Sequence, residues 1–444
     1  MSNDRLPPQT KYIVGNEACE RFSFYGVKAI LTGYAATLFV APGGKVGPGE
    51  EATAKAIVHA WVVATYFLPL VGAWIADRWW GRYRTILVLS FAYCIGHGLL
   101  AAGEGTKWGL FAGLAFLAIG SGGIKPCVSA FVGDQFTGGR EHLLPKIYGL
   151  FYFSINFGST FAFAFLPGIK DRHGYALAFG LPGIAMGLAT IIFWLGRRTY
   201  VRRPPAREQP PAEPAVRAEN LRVLGRIALV FLPISFFWAL YDQQNTTWVQ
   251  QGQKLVPYFI GSYKVDGETM QTVNAIFVMS FIPLFTWLLY PWLERRGLNP
   301  SLLRRIGAGL VLIAVAFCAS AWLQSNVEAG RQMSVMWQLG QQALLTAAEV
   351  LVSTTGLEFA FRQAPASLKS TIMSLWLLAI ACGNGITAIV TWLTIVRDPA
   401  TGARHPFFTG TQEMMLYSAL MLVAFAAFVP IAIRFARRAA AQVA

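Results

Sequence analysis

Two glutamates and an arginine begin the first apolar stretch of the chain, in residues 15–26, GNEACERFSFYG. A charge at the centre of a bilayer costs about 2.5–3.5 kcal/mol, so it persists in an apolar helix only where it faces protein or water. Glutamates beside an arginine can exchange protons while they remain paired. At 100° per residue the polar side chains of this stretch form one stripe, made of Glu17, Glu20, Arg21, Tyr25 and Lys28. The stripe predicts a wet or proton-binding face, and the alternative is an ion-pair network that only holds helices together.

Two further charges lie inside apolar runs, far apart in the sequence. Lys125 is found in GSGGIKPCVSAFVGDQF, beside Pro126, which removes a backbone donor and loosens the helix at that point. Glu349 is found in LLTAAEVLVSTTGLEFAF. We expect a Lys125–Glu349 pair across the two halves of the chain, which a charged substrate could break, whereas Glu358 is interpreted as structural.

Isolated polar and aromatic residues mark other apolar runs. His59 and Tyr66 are seven residues apart and therefore share a helix face. The ordinary pKa of histidine, about 6.5, suits a proton site, and the alternative is a hydrogen-bonded packing residue. Trp238 and Asp242 share a face at i, i+4 spacing. Three further apolar runs each contain one such isolated polar or aromatic residue, namely Asn156, Asn274 and Trp376.

These side chains need a scaffold of membrane-spanning helices. Of the 444 residues, 55% are hydrophobic and 13% charged, and the mean hydropathy is +0.46, whereas about 25% of residues are charged in a soluble domain. The apolar runs are continuous rather than alternating, which favours helices over a membrane barrel. Twelve such runs begin near residues 12, 55, 84, 108, 145, 174, 224, 271, 303, 334, 367 and 414. The sequence therefore predicts an all-α integral membrane protein.

The basic residues are unevenly distributed among the predicted loops. With the N-terminus inside, 24 of the 37 Lys and Arg residues fall on the cytoplasmic side and 10 on the outer side. This bias predicts that both termini are cytoplasmic. It also accounts for most of the net charge of +15, so the basic balance does not indicate a nucleic-acid partner. The first run is followed by no small-residue cleavage site, so we predict no secretory signal peptide.

Residues 197–222 form the one long polar interruption, rich in Pro, Arg and Glu. They predict a cytoplasmic linker between an N-terminal six-helix bundle at 1–196 and a C-terminal six-helix bundle at 223–444. WIADRWWGR after the second run is matched by WLERRG after the eighth. Parallel six-helix repeats are the layout of major facilitator transporters, and GAWIADRWWGRYR at 72–84 resembles that superfamily's loop between helices two and three.

Cysteine and histidine offer no pattern for catalysis or metal binding. The five cysteines are scattered over apolar runs and are interpreted as small buried hydrophobic residues. The five histidines are dispersed over runs and loops without metal-ligand spacing. We therefore predict no enzyme, no metal and no cofactor.

Taken together, the motifs resemble the proton-dependent oligopeptide transporter family. Its first-helix pattern E-x-x-E-R-F-x-Y-Y-G is matched from Glu17 to Gly26, with Phe24 where tyrosine is usual. Its pattern GxGGIKPxxSxFxxDQF is matched around Lys125, and YGLFYFSINFGS resembles its fifth-helix pattern. FWALYDQQ, GLEFAFRQAP and MSLWLL resemble segments of its second half. The resemblance covers nearly the whole chain and implies the major facilitator fold, with twelve transmembrane helices in two six-helix bundles.

The resemblance also implies a role for each matched residue. Glu17 and Glu20 would bind the coupling proton beside Arg21, and Arg21 and Lys125 would bind the carboxylate of a peptide. The residues implied for its ammonium end are Asn156, Asn274 and Glu349. Those implied for side-chain pockets are Tyr25, Tyr66, Trp238 and Trp376.

Two implied roles concern the coupling of proton movement to peptide transport. Asp242 matches an acid of the seventh helix thought to couple protonation to the outer gate, and His59 falls where animal members have a proton-linked histidine. Because position 24 holds phenylalanine instead of the usual tyrosine, the implied peptide pocket has one hydroxyl fewer. The linker is too short for the extra helix pair of many bacterial members, which is peripheral to transport.

We therefore predict a proton-coupled symporter that imports di- and tripeptides by alternating access. Its partners would be the peptide, protons and the lipid bilayer, and it would function as a monomer in the cell membrane, the inner membrane in a Gram-negative cell. The alternative is a family relative that transports nitrate, amino acids or another small anion. The intact E-x-x-E-R run favours peptide uptake, because divergent members tend to lose those acids.

Overall fold

The computed structural model describes residues 6–41, 43–136, 143–202, 205, 214–298, 301–363, 369–397 and 404–441. Its contacts divide the chain into two compact units. Unit 1 comprises Met1–Lys45 and Ala60–Pro210, and unit 2 comprises Val46–His59 and Pro211–Ala444. The second helix therefore contributes its first part to unit 2 and the remainder to unit 1. The predicted domain limits at 196 and 223 stay a prediction, and part of the predicted linker, 203–204 and 206–213, lies outside the described residues.

The first half of the chain contains six α-helices in the described residues. They are α1 (Thr10–Thr37), α2 (Pro48–Ile75), α3 (Gly81–Ala102), α4 (Lys107–Asp134), α5 (Leu144–His173) and α6 (Tyr175–Leu195). A π-helical turn, Ala76–Trp80, joins α2 to α3, and a 3₁₀ turn, Gly196–Arg198, follows α6. Within unit 1, α1 packs against α5 and α6, and α3 packs against α4 and α6.

The second half has more interrupted helices and two small hairpins. Its helices are α7 (Pro214–Tyr241), α8 (Thr247–Gln253), α9 (Gln271–Pro283), α10 (Tyr290–Arg295), α11 (Leu302–Glu328), α12 (Gln338–Glu349), α13 (Thr355–Gln363), α14 (Lys369–Leu393) and α15 (Gly410–Ala441). π-helical segments continue α9 into α10 at Leu284–Leu289 and α12 into α13 at Val350–Thr354, and 3₁₀ turns are formed by Asp242–Asn245 and Val335–Trp337. The antiparallel hairpins pair β1 (Tyr258–Ile260) with β2 (Tyr263–Val265) and β3 (Ile395–Arg397) with β4 (Arg404–Pro406).

The described residues thus contain twelve long helical runs, when α9–α10 and α12–α13 are each taken as one. Most begin within a few residues of the predicted positions, although α2 begins at Pro48 and α7 at Pro214, inside the predicted linker. The predicted start at 367 lies outside the described residues. In the described part, eight helical stretches are long and apolar enough to cross a membrane, and one of them contains both α2 and α3. α1, α5 and α12–α13 are not among them, and α1 carries the stripe of charges.

The loop that resembles the major facilitator motif joins α2 to α3. Gly81 follows the π-helical turn with a φ of 71°, a conformation that favours glycine. The next residue, Arg82, places its Nη1 atom 2.6 Å from Oδ2 of Asp134 at the end of α4 and its Nη2 atom 3.9 Å from Oδ1 of Asp77. The motif therefore ties the α2–α3 turn to the end of α4.

Glycines allow α3 and α4 to approach closely. A Cβ atom built on Gly96 would lie 2.8 Å from the backbone N of Leu117 and 3.0 Å from the carbonyl oxygen of Gly113. Both contacts are with backbone, which cannot yield as a flexible side chain does. The position of α4, and of the buried lysine that it carries, therefore depends on this contact.

We predict that Gly96→Ala lowers the free energy of unfolding of the protein by about 1–3 kcal/mol, because it overpacks the α3–α4 contact. The matched control is Gly98→Ala on the same helix, where an added Cβ meets nothing within 4 Å. The measurement is the thermal unfolding midpoint of both variants in detergent. Equal midpoints for the two variants would contradict the proposed close approach.

Candidate functional site

On α1, two buried carboxylates share one guanidinium. The Nε atom of Arg21 lies 2.6 Å from Oε1 of Glu17 and 3.1 Å from Oε2 of Glu20. Both glutamates are about 1% exposed. Arg21 donates a hydrogen bond to Glu17, whereas neither carboxylate oxygen of Glu20 accepts a hydrogen bond from the described residues. The group therefore has one more acid than base, and Glu20 is the acid whose charge is less well satisfied.

Lys125 of α4 is buried against aromatic rings. Its Nζ atom lies 3.6 Å from the ring centroid of Phe24 and 4.4 Å from that of Tyr66. Nζ has no hydrogen-bond partner among the described residues. An ammonium over an aromatic face is stabilised electrostatically, but its three hydrogens remain available to an incoming acceptor. Phe24, the one departure from the family pattern of the first helix, is thus the ring in closest contact with this cation.

Helix α5, which carries Asn156, packs closely on α1. A Cβ atom built on Gly158 would lie 2.8 Å from the backbone N of Phe22 and 3.0 Å from Cβ of Arg21, so the two helices are in close contact. Asn156 is buried. Tyr25 packs against Phe163 of α5, with ring centroids 5.6 Å apart. Unit 1 therefore contains the predicted residues of α1, α4 and α5, with Tyr66 on the part of α2 that belongs to this unit.

A second group of predicted residues lies in unit 2. Asn274 of α9 donates a hydrogen bond from Nδ2 to Oε2 of Glu349 at 3.0 Å, and the same atom lies 3.0 Å from Oγ1 of Thr346. Trp238 of α7 meets Trp376 of α14 edge to face, with ring centroids 5.9 Å apart. The structure thus pairs the predicted amide with the predicted acid, and the two predicted tryptophans with each other. Lys125 and Glu349 belong to different units, and their pairing stays a prediction.

His59 and Asp242 are linked in unit 2 through an asparagine. The Nδ1 atom of His59 lies 2.7 Å from Oδ1 of Asn384, and Nδ2 of Asn384 lies 2.7 Å from Oδ2 of Asp242. The other ring nitrogen, Nε2, lies 3.1 Å from Oγ1 of Thr246. His59, Asp242 and Asn384 are all buried. These two of the residues predicted to couple protons therefore belong to one hydrogen-bonded chain.

Metal binding has no support in the part of the chain that the structure describes. There, no group of three or more His, Cys, Asp or Glu side chains is placed to hold a metal ion. The polar groups described above are instead carboxylates, amides, hydroxyls and cations, which bind protons and charged organic groups.

Comparison with protein families identifies the class of protein. A family model described as the POT family matches residues 83–216 and 213–406. The chain belongs to the POT family.

Relatives with assigned names are also similar to this POT-family chain. Peptide transporter family 1 of Drosophila melanogaster is 36% identical over 367 residues, which cover 72% of this chain and 48% of that protein. Solute carrier family 15 member 1 of Homo sapiens is 32% identical over 375 residues, which cover 71% of this chain and 52% of that protein. The chain spans about half the length of the curated relatives it matches.

Solved structures extend the similarity over the whole fold. The crystal structure of the POT family transporter PepTSo superposes with a TM-score of 0.88 at 33% identity, covering 98% of this chain and 99% of that one. The crystal structure of an auto-inhibited POT family peptide transporter also gives a TM-score of 0.88 at 33% identity, and the match covers 96% of this chain and 97% of that one. The predicted family and the predicted helical membrane fold are confirmed. The chain is a multi-pass membrane protein of a transporter family and not an enzyme.

Sequence reasoning missed Asn384 and Thr246 in this POT-family chain. Asn384 is flanked by glycines in ACGNGIT, and Thr246 follows the quoted FWALYDQQ segment by two residues. An isolated amide in an apolar run is a signal of the same kind as Asn156 and Asn274, so Asn384 could have been found. Thr246 could not, because single threonines are common in apolar helices and bond to their own backbone.

We predict an energetic coupling between Phe24 and Lys125 of about 0.5–2 kcal/mol, the range of cation–π contacts. It is measured by a double-mutant cycle with Phe24→Leu and Lys125→Met, from equilibrium unfolding in mixed micelles. Phe163→Leu with Lys125→Met is the matched control, because Phe163 is buried and packs on Tyr25. A coupling for Phe24 no larger than that for Phe163 would show that the ring does not hold the cation.

Proposed function

We propose that the chain is a proton-coupled symporter that imports di- and tripeptides by alternating access. The observation that carries the proposal is the buried group on α1, in which two carboxylates share one guanidinium. Membership of the POT family and the names of the relatives support it, since these proteins are called peptide transporters.

The proton-binding step is assigned to Glu17 and Glu20 beside Arg21. When both acids are ionised, the group carries one negative charge beyond the arginine's compensation. Glu20 is the less stabilised of the two carboxylates, because its oxygens accept no hydrogen bond from the described residues. A proton on Glu20 leaves a neutral Glu17–Arg21 pair, and its arrival therefore removes a buried negative charge whose oxygens accept no hydrogen bond from the described residues. This is how one proton can change the electrostatics around Arg21.

The peptide carboxylate is assigned to Arg21 and Lys125. Lys125 has an ammonium group that rests on rings and has no described hydrogen-bond partner. A carboxylate would give this ammonium the charge-assisted hydrogen bonds that an aromatic face cannot provide. The proton that neutralises Glu20 would at the same time leave Arg21 freer to bind the same carboxylate.

The peptide's ammonium end is assigned to Asn156, Asn274 and Glu349. The Asn274–Glu349 hydrogen bond holds the carboxylate of Glu349 in place, and that carboxylate can still accept from an ammonium with its remaining lone pairs. Side-chain pockets are assigned to four aromatic residues, namely Tyr25, Tyr66, Trp238 and Trp376. A site that fixes both termini and leaves a permissive aromatic pocket predicts broad peptide specificity.

The cellular setting is part of the same proposal. The distribution of Lys and Arg supports cytoplasmic termini and a location in the cell membrane. The two halves, 1–196 and 223–444, would alternate access to the site as a monomer, with the linker at 197–222 inside. His59 and Asp242 would take part in proton coupling. A proton that crosses a potential of 100 mV releases about 2.3 kcal/mol, so one or two protons would support useful accumulation of peptide.

The deciding experiment is uptake of dialanine by liposomes that contain the purified protein. An imposed inward proton gradient should drive accumulation, and a protonophore should abolish it. Folded protein that accumulates no dialanine would overturn the peptide assignment. Uptake of nitrate, an amino acid or another small anion under the same gradient would then support the alternative substrate.

We predict that Glu20→Gln abolishes proton-driven accumulation but leaves exchange of dialanine across the membrane measurable, because the amide cannot change its charge. Counterflow of labelled dialanine in the same liposomes separates the two activities. Glu104→Gln is the control, since Glu104 accepts a hydrogen bond from the backbone N–H of Tyr175 at the protein surface. Full accumulation by the Glu20 variant would remove this residue from the coupling site.

We predict that Lys125→Gln reduces the preference for a free peptide carboxylate. A hydrogen bond to a charged group contributes about 1.5–3 kcal/mol, so dialanine should bind at least about tenfold more weakly, whereas dialanine amide should be little affected. The readout is competition of both ligands against labelled dialanine. Lys107→Gln is the control on the same helix, where Lys107 is exposed. An unchanged ratio of the two affinities would show that Lys125 does not bind the carboxylate.

A further inference from the structure

The amide group of Asn384 has only one orientation that satisfies its neighbours. Its Nδ2 atom lies 2.7 Å from Oδ2 of Asp242 and 3.0 Å from the backbone oxygen of Ile380. Both neighbours accept hydrogen bonds, so both amide hydrogens are used. A half-turn of the amide would point its oxygen at two acceptors and lose both bonds. The oxygen, Oδ1, is therefore fixed on the side of His59.

This orientation decides which nitrogen of His59 carries a hydrogen. Oδ1 of Asn384 lies 2.7 Å from Nδ1 of His59, and an amide oxygen can only accept. Nδ1 must therefore be the donor, whether the ring is neutral or charged. The hydrogen bond at one ring nitrogen sets the tautomer of a histidine. The proton that the ring can gain or lose is accordingly the one on Nε2.

The partner of Nε2 can serve both protonation states. Oγ1 of Thr246 lies 3.1 Å from Nε2 and 3.3 Å from Oε1 of Gln243. With a proton on Nε2, the ring donates to Thr246, and the hydroxyl donates to Gln243. Without it, the hydroxyl rotates and donates to Nε2. Oε1 of Gln243 then still accepts a hydrogen bond from Thr247.

We propose that Asn384 is a positioning residue that locks His59 with its hydrogen on Nδ1, and that the exchangeable proton lies on Nε2, where the Thr246 hydroxyl turns to follow it. Its relevance to coupling rests on the proposed proton-driven function. Both ring nitrogens of His59 therefore keep a hydrogen-bond partner whether or not Nε2 carries a proton. This matters because an unsatisfied buried polar group costs about 1–3 kcal/mol.

The charged surroundings of His59 in unit 2 belong to two groups. Asp242 is joined to the ring through Asn384, and its other carboxylate oxygen lies 3.3 Å from Nδ2 of Asn245. One helical turn before His59 on α2, Lys55 forms an ion pair with Glu413 and lies 4.9 Å from the ring centroid of Tyr417. In both groups each charge has a partner, so the proton exchange is assigned to the histidine itself.

The test is ¹⁵N NMR of the full chain labelled at histidine, since the shifts of the two ring nitrogens identify the tautomer. His59→Gln assigns the His59 signals among those of the five histidines. At a pH where His59 is neutral, we expect the Nδ1–H tautomer. Asn384→Leu, which removes the amide at similar size, should convert it to the Nε2–H tautomer favoured by free side chains.

Thr391→Val is the matched control, two turns further along α14, and it should leave the His59 signals unchanged. An Nε2–H tautomer in the unmodified protein would overturn the proposal, and so would an Nδ1–H tautomer that persists in Asn384→Leu. If Asn384→Leu does not fold, the unmodified chain decides, because it must show the Nδ1–H tautomer. The measurement needs no transport, so a protein that moves no peptide can still pass or fail it.

A second pair of variants tests the hydroxyl. Thr246→Val removes it at constant size, and Thr246→Ser retains it. We expect proton-driven dialanine uptake to fall at least tenfold in Thr246→Val and to be restored in Thr246→Ser. Equal uptake by the two variants would overturn the assignment of Thr246.

Discussion

Burial of ionised groups inside apolar helices is the constraint on which the structure depends, because each buried charge must find a partner or cost several kcal/mol. Four arrangements among the described residues of the candidate site meet this constraint. Two carboxylates share one guanidinium on α1, and Lys125 rests on aromatic rings. Glu349 accepts from an amide, and Asp242 reaches His59 through Asn384. None of these arrangements is a single isolated ion pair, and each leaves a group that a proton or a charged ligand can engage.

Close helix packing holds these groups in register. Gly158 brings α5 onto α1 at Arg21, and Gly96 brings α3 onto α4, which carries Lys125. Small residues are the usual means by which membrane helices approach, since lipid tails offer no hydrophobic drive for association. The positions of the charges therefore depend on these close contacts between helices. A substitution far from any charge can displace the charges by this route.

The sequence predicts the helices and the charged stripe well, because apolar runs and a 3.6-residue period survive in any membrane helix. It does not predict contacts that depend on which helices are neighbours. Asn384 has no partner at helical spacing, and its link between His59 and Asp242 exists only once α14 lies beside α7 and the start of α2. The cation over Phe24 was missed for a related reason, since the sequence shows only that a hydroxyl is absent at this position. The roles assigned to the site residues stay predictions.

The central claim is that peptide and proton cross the membrane together through the acids of α1. Liposomes containing the protein and an internal pH-sensitive dye test it most directly, with no proton gradient imposed at the start. External dialanine should acidify the interior as the labelled peptide enters, and the acidification should be lost in Glu20→Gln but kept in Glu104→Gln. Entry of dialanine without acidification would contradict the account, because the peptide would then move without the proton.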